Sequence, residues 1–280
     1  MTFPTRRSGG PSMDCPTAAF GPFRVAVIFP LGRDSGRTGW LDPPGLPADI
    51  KLNATLDGTP RSDAGLRFTR FDDDGFAFLS AHALVQVDWR TGTGTATLAT
   101  DDDDPRSRPT ATLEAMFGVA YAKVLRAGGV VLHAATLAYE GRVWVVAGYS
   151  GAGKTTLSRR FPDQALHDEH AFLVPGDDGW VVWRHVELRR PRAIAPWVVP
   201  VGGLSILSPD RSVTGLRPVA QAERFASLIP HAVFAGGATR NLMLEHVLNL
   251  TQDCPPAWLD HCLKDSREVV ASTVQGLRDG

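Results

Sequence analysis

The chain has 280 residues, a formal net charge of −1, and 43% apolar and 21% charged residues. This length can bury the core of one large domain or of two modest ones. The near-neutral charge argues against broad electrostatic binding to nucleic acid or to an anionic membrane surface, so neither is expected as a partner.

The cysteines and the apolar runs indicate the compartment. The three cysteines show no C-x-x-C spacing, which argues against a disulfide framework or a zinc site. The first residues lack the apolar stretch of a secretory signal, and no apolar run approaches the roughly 18 residues of a membrane-spanning helix. We therefore expect a cytoplasmic protein.

The first third of the chain has two compositions. Residues 1–19 are rich in Ser, Gly and Pro and are predicted to be disordered. Short β-prone runs at 23–29, 75–79 and 83–89, with a turn at 91–95, predict a small β-rich N-terminal domain over residues 20–108. This domain is either a scaffold or oligomer contact, or a part of substrate recognition.

Residues 109–280 are predicted to form an α/β domain. Apolar side chains recur on one helical face across residues 112–127, and two glycines end that helix. The strands at 130–138 and 142–147 are separated by so short a turn that they form an antiparallel hairpin. The remaining predictions are a helix at 153–160, strands at 165–174, 180–188 and 203–207, and helices at 220–228, 238–250 and 257–263.

A glycine-rich loop directly follows the second strand of this hairpin. Residues 148–155 read Gly-Tyr-Ser-Gly-Ala-Gly-Lys-Thr, which fits the P-loop pattern G-x-x-x-x-G-K-[ST] between a strand and a helix. Glycines let backbone N–H groups face phosphate oxygens, the lysine reaches the β- and γ-phosphates, and the threonine hydroxyl binds Mg²⁺. The loop therefore predicts binding of ATP and Mg²⁺. The residues expected to contact them are Gly148, Ser150, Gly151, Ala152, Gly153, Lys154, Thr155 and Thr156.

Three further polar residues interrupt apolar strands. Asp168 and Glu169 lie within the predicted strand at 165–174, and phosphoryl transfer needs a carboxylate near the metal or the acceptor. A solvated strand end would show the same pattern. His133 interrupts the predicted strand at 130–138, and the spacing alone leaves open whether it is a core histidine or a site residue.

Together these motifs resemble a known family. Residues from about 113 to 250 resemble the kinase domain of HPr kinase/phosphorylase and its relatives in peptide natural-product pathways. The resemblance is carried by Leu132-His133, the loop at 148–155 and Asp168-Glu169, with shorter matches at Val186-Glu187-Leu188-Arg189 and Arg240-Asn241-Leu242. The loop and Asp168-Glu169-His170 also resemble the nucleotide site of ATP-dependent phosphoenolpyruvate carboxykinase, but that family's substrate-binding segments have no counterpart here.

The resemblance implies a fold and a set of roles. It implies a P-loop kinase domain of the HPr kinase/carboxykinase type, an α/β fold with a mixed sheet, after the β-rich N-terminal domain. Asp168 would take the proton from an acceptor hydroxyl, and His133 would orient Asp168 or contact the metal. The implied metal ligands are Thr155, Glu169 and Glu187, and Arg189 and Arg240 would face the phosphates. The acidic pair is Asp-Glu where the family has Asp-Asp, which leaves the reversibility of the reaction open.

The sequence does not identify the phosphoryl acceptor or the oligomeric state. The resemblance implies a kinase for a Ser hydroxyl of a small protein or peptide. A small-molecule acceptor, a carboxykinase-like reaction, and a regulator that binds nucleotide without transfer are the alternatives. The arginines Arg184, Arg189, Arg190 and Arg192 either form a basic cleft for an acidic acceptor or are surface residues. A homo-oligomer is compatible with the resemblance, because relatives are often oligomeric.

Overall fold

The chain is described from a computed structural model. The described residues are 17–20, 23–28, 49–57, 65–101, 104, 106–184, 198–208, 214–233, 235–260 and 272–273. Most of the predicted disordered segment 1–19 lies outside this set, but Thr17–Phe20 form a strand. Glu187 and Arg189 also lie outside the described residues, as do Arg190 and Arg192.

The described residues form four α-helices and sixteen strands. The helices are α1 (Ser107–Arg126), α2 (Lys154–Arg160), α3 (Arg224–Leu228) and α4 (Arg240–Asp253). The strands of the N-terminal half are β1 (Thr17–Phe20), β2 (Phe23–Ile28), β3 (Ile50–Asp57), β4 (Arg67–Phe71), β5 (Gly75–Leu79), β6 (Ala83–Asp88) and β7 (Thr93–Ala99). The later strands are β8 (Val130–Tyr139), β9 (Arg142–Ala147), β10 (Ala165–His167), β11 (His170–Gly176), β12 (Gly179–Trp183), β13 (Val198–Leu207), β14 (Gly215–Pro218), β15 (Gly236–Gly237) and β16 (Ala257–Asp260).

The N-terminal strands form one mixed sheet. Its order is β1-β2-β3-β7-β6-β5-β4-β15, so a short strand from the C-terminal half completes one edge. Along β3 the side chains alternate between buried and exposed, as expected for a sheet with one face on the core. The predicted turn at 91–95 is shorter than expected, because β7 begins at Thr93 and pairs with β6.

The second sheet is built around β8. One edge of β8 pairs with β10 and β11, and the other edge pairs with β9, which confirms the predicted antiparallel hairpin. The strands β8, β9, β13, β12 and β11 pair in a closed ring, with β9 and β13 parallel to each other. This sheet is therefore mixed, and β8, the strand that carries His133, has pairing partners on both edges.

Helix α1 packs between the two sheets. One apolar cluster joins Phe68 and Phe78 of the first sheet, Met116 and Tyr121 of α1, and Phe172 of the second sheet. The helix starts at Ser107, earlier than the predicted residue 112. It ends at Arg126, just before the two glycines, as predicted. The core thus crosses the boundary at residue 108 that the sequence predicts between two domains.

One prediction near the C-terminus is wrong. Residues 257–263 were expected to be helical from their apolar spacing, but Ala257–Asp260 form β16, between β13 and β14. Pairing on both edges supplies backbone hydrogen bonds that outweigh the weak local preference for a helix. Among the described residues, no helix is both long and apolar enough to cross a membrane.

Candidate functional site

The P-loop connects β9 to α2, in the strand–loop–helix context that the sequence predicts. Gly151 and Gly153 have φ angles of +78° and +111°, in the left-handed region that favours glycine. A Cβ atom built on either residue meets nothing within 4 Å, so backbone conformation and not crowding requires glycine here. The loop motif and its local geometry therefore agree.

Lys154 is the first residue of α2 and is held against the loop. Its side chain is buried, with 5% relative exposure, and its Nζ donates to the carbonyl oxygens of Gly148 at 2.7 Å and Tyr149 at 2.9 Å. Burial lowers the pKa of Lys154, while Glu169 and Asp168 act in the opposite direction. The ammonium group thus lies within electrostatic range of both predicted carboxylates.

The other polar residues of the loop lie on the surface. Ser150, Thr155 and Thr156 are exposed, and the Ala152 amide donates to the Tyr149 carbonyl oxygen at 3.1 Å. An exposed hydroxyl on the first turn of α2 is accessible to a ligand at the mouth of the loop. Thr155 therefore occupies a position from which it can serve as a metal ligand.

Asp168 and Glu169 form a bend between β10 and β11. The pairing with β8 has the same register on both sides of the bend, where His167 lies opposite Thr136 and His170 opposite His133. The Glu169 carbonyl oxygen accepts from the Ala134 amide at 3.1 Å, and the buried Thr136 Oγ1 accepts from the His167 amide at 3.0 Å. The backbone of the acidic pair is therefore fixed to β8, with Asp168 half-buried and Glu169 exposed.

His133 is the point on β8 where these segments meet. On one edge it pairs with His170, and the two rings lie 6.2 Å apart. On the other edge its carbonyl oxygen accepts from the Gly148 amide at 3.3 Å, at the start of the P-loop. Burial, followed by Lys154, lowers the pKa of His133, and Glu169 opposes the shift. The histidine therefore belongs to the same cluster as the lysine and the acidic pair.

Sequence reasoning missed His231. It ends a short 3₁₀ turn at Ile229–His231, and the Tyr149 ring meets its imidazole edge-on at 4.5 Å between centroids. Burial, then Lys154 and His133, lower the pKa of His231 to about 4. In the sequence, His231 is only a histidine within an apolar stretch. A histidine in that setting is more often a core residue than a site residue.

The described contacts do not connect the predicted site residue Arg240, or Glu187 and Arg189, to the cluster of Lys154, His133 and the acidic pair. Arg240 is the exposed first residue of α4, and within the described part of the chain no hydrogen bond or ion pair joins it to the P-loop or to the acidic pair. The predicted roles of Glu187 and Arg189 fall outside the described residues. Arg184 is half-buried after β12, and burial lowers its pKa.

The donor set at the loop fits magnesium better than a transition metal. Across the described ranges, no three His, Cys, Asp or Glu side chains group closely enough to hold a metal ion by themselves. Thr155 and Glu169 offer hard oxygen donors, and Mg²⁺ is commonly held by one or two protein oxygens together with substrate phosphates and water. Thr155 and Glu169 are thus of the right chemical class for magnesium, and their role as its ligands stays a prediction.

Comparison with known proteins adds no family. No protein-family model matches the sequence, and no curated protein matches it. The resemblance to HPr kinase/phosphorylase therefore depends on the motif residues alone, and the roles it implies stay predictions.

Proposed function

We propose that the chain is an ATP- and Mg²⁺-dependent kinase that transfers the γ-phosphoryl group to a Ser hydroxyl of a small protein or peptide. The observation that carries this proposal is the meeting of the P-loop and the acidic pair on opposite edges of β8, at His133. The charges of Glu169 and Asp168 both act on the pKa of Lys154, and a phosphoryl-transfer site needs carboxylates near the nucleotide phosphates. The proposed setting is the cytoplasm.

The residues have separate roles in the proposed reaction. The P-loop and Lys154 would bind the β- and γ-phosphates of ATP, and Thr155 and Glu169 would hold Mg²⁺, which would supply neutralisation of phosphate charge. Asp168 accepts the proton of the acceptor hydroxyl while that oxygen forms its bond to the γ-phosphorus. The bond from the γ-phosphorus to the bridging oxygen breaks, and ADP leaves with the electron pair.

His133 is proposed to orient the acidic pair. It lies opposite His170, next to Glu169, and on the other edge its carbonyl oxygen is bonded to the loop. Because its burial and the nearby Lys154 lower its pKa, the ring is neutral near pH 7 and acts through hydrogen bonding. A neutral ring can position a carboxylate by a hydrogen bond, and it adds no second positive charge beside Lys154.

The test is transfer of radiolabelled phosphate from γ-labelled ATP with Asp168→Asn as the informative variant. The acceptor panel contains an HPr-like carrier protein, Ser-containing peptides, small hydroxyl compounds and a control without acceptor. We expect label on a protein or peptide, a loss of about 100-fold or more in Asp168→Asn, and unchanged ATP binding by calorimetry. Asp163→Asn, an exposed aspartate before β10, is the matched control and should transfer like the unmodified protein.

The outcomes separate the competing functions. Label on a small hydroxyl compound alone would replace the protein acceptor with a small molecule. Tight ATP binding without transfer to any acceptor would indicate a nucleotide-binding regulator. Absence of ATP binding would overturn the proposal as a whole.

A further inference from the structure

His231 carries a buried polar atom that the fold does not satisfy. The side chain has 3% relative exposure, and no hydrogen-bond partner for its buried Nδ1 is found among the described residues. Buried polar groups in folded proteins nearly always have a partner, and the exceptions often lie at functional sites. This unsatisfied nitrogen, next to the loop, is the observation that singles out His231.

The register of the second sheet places His231 beside the proposed transfer site. An antiparallel bridge joins Leu132 and Ala232, and the Val233 amide donates to the Val131 carbonyl oxygen at 2.8 Å. His231 directly precedes Ala232, so it lies next to the position where this segment joins β8, one residue from His133. His170 lies opposite His133 on the other edge of β8, with the two rings 6.2 Å apart.

Contacts on the loop side relate His231 to Lys154. The Tyr149 ring packs edge-on against His231, while the Tyr149 carbonyl oxygen accepts from Lys154 Nζ at 2.9 Å. Lys154 and His133 are both close enough to lower the pKa of His231. His231 thus lies near Lys154, and the lysine of a P-loop is the residue that reaches the terminal phosphates of a nucleotide.

We propose that His231 is a specificity-determining residue that hydrogen-bonds the terminal phosphoryl group and so makes the loop prefer a nucleoside triphosphate over a diphosphate. This inference rests on the proposed nucleotide-binding function. The imidazole is neutral near pH 7, so it recognises the phosphoryl group by a directed hydrogen bond from Nδ1. A hydrogen bond to a charged group contributes about ten- to hundredfold in affinity.

The test compares binding of a non-hydrolysable ATP analogue and of ADP, each with Mg²⁺, by calorimetry. His231→Phe keeps a ring against Tyr149 and removes the nitrogen, whereas His231→Asn keeps an amide near the position of Nδ1. We expect His231→Phe to bind the analogue at least about tenfold more weakly with unchanged ADP affinity, and His231→Asn to retain part of the preference. His246→Asn is the matched control, since this buried histidine in α4 bonds the Gly129 carbonyl oxygen through Nδ1 at 3.0 Å, in a separate contact.

A second readout uses the unmodified protein. With histidine rings isotopically labelled, the His231 resonance, assigned by its absence from His231→Asn, should shift with the ATP analogue and much less with ADP. Equal loss of analogue and ADP affinity in His231→Phe, or no loss of either, would overturn the inference while leaving nucleotide binding intact. Failure of the unmodified protein to bind either nucleotide would instead refute the proposed function on which the inference rests.

Discussion

At the scale of single residues, burial is the main cause of the shifted pKa values of three histidines. It is the largest cause of the lowered pKa of His133, His231 and His246, and it brings the pKa of His231 to about 4. Lys154 adds to this effect at His133 and His231, because a second positive charge beside the ammonium group is unfavourable. The neutral form of His133 and of His231 is therefore favoured at physiological pH.

The lowered pKa of His231 predicts a loss of stability on acidification. Between pH 6.5 and about 4 the unfolded chain binds a proton at this residue and the folded chain does not, so the free energy of unfolding falls as the pH falls. The full shift corresponds to up to about 3 kcal/mol. Urea unfolding at pH 7.5 and pH 5 should show a smaller difference in His231→Phe than in the unmodified protein. An equal loss of stability between pH 7.5 and pH 5 in both proteins would contradict a lowered pKa of His231.

At the scale of elements, one buried hydroxyl bonds the backbone just before the bend between β10 and β11. Thr136 is fully buried on β8, and its Oγ1 accepts from the His167 amide immediately before the acidic pair. The position of Asp168 is therefore determined partly by a residue that contacts no substrate in the proposed mechanism.

Thr136→Val tests this dependence because valine has nearly the same shape without the hydroxyl. We expect a loss of about 1 kcal/mol in stability and about tenfold in phosphate transfer, with ATP affinity unchanged. Thr136→Ser keeps the oxygen and should transfer like the unmodified protein. If the valine and serine variants transfer equally well, the hydroxyl does not position the acidic pair. Urea unfolding and the labelled-phosphate assay measure the two effects.

At the scale of the whole molecule, α1 connects the two sheets through close packing. A Cβ atom built on Gly118 would lie 2.2 Å from Cζ of Phe78, which is fully buried and packed against the rings of Phe68 and Phe76. The Phe78 ring has little room to move, so the helix can approach the first sheet only where glycine removes the side chain. The same helix contacts the second sheet through Phe117, whose ring lies 4.6 Å from His170.

Gly118→Ala is therefore predicted to destabilise the protein although alanine is the better helix former. Overpacking costs about 1–3 kcal/mol, which exceeds the gain of about 1 kcal/mol in helix propensity. Because the two sheets share one core, circular dichroism and tryptophan fluorescence should report a single unfolding transition at a lower urea concentration. Gly65→Ala, where a Cβ atom meets nothing within 4 Å, is the control and should unfold like the unmodified protein. A stabilised Gly118→Ala would show that α1 can move away from Phe78.

Local patterns in the sequence predicted the elements that depend on neighbouring residues. The P-loop, the β8–β9 hairpin and the end of α1 at two glycines follow from turn residues, periodicity and backbone preferences within a few positions. The strand at Ala257–Asp260 was predicted as a helix, because its two partner strands come from other parts of the chain. Its apolar residues alone are compatible with either structure.

The sequence by itself determined that a glycine-rich loop with Lys154 follows a buried strand and opens a helix, because every residue of that motif is adjacent in the chain. Only the tertiary structure decided which residues surround the loop. On one edge of β8, His133 pairs with His170, next to Glu169. On the other edge its carbonyl oxygen accepts from Gly148, and His231 precedes the bridge between Ala232 and Leu132. Strand register depends on pairing between distant segments, and no spacing along the chain encodes it. This is why the acidic pair could be predicted from its interruption of a strand, while His231 could be found only in the folded protein.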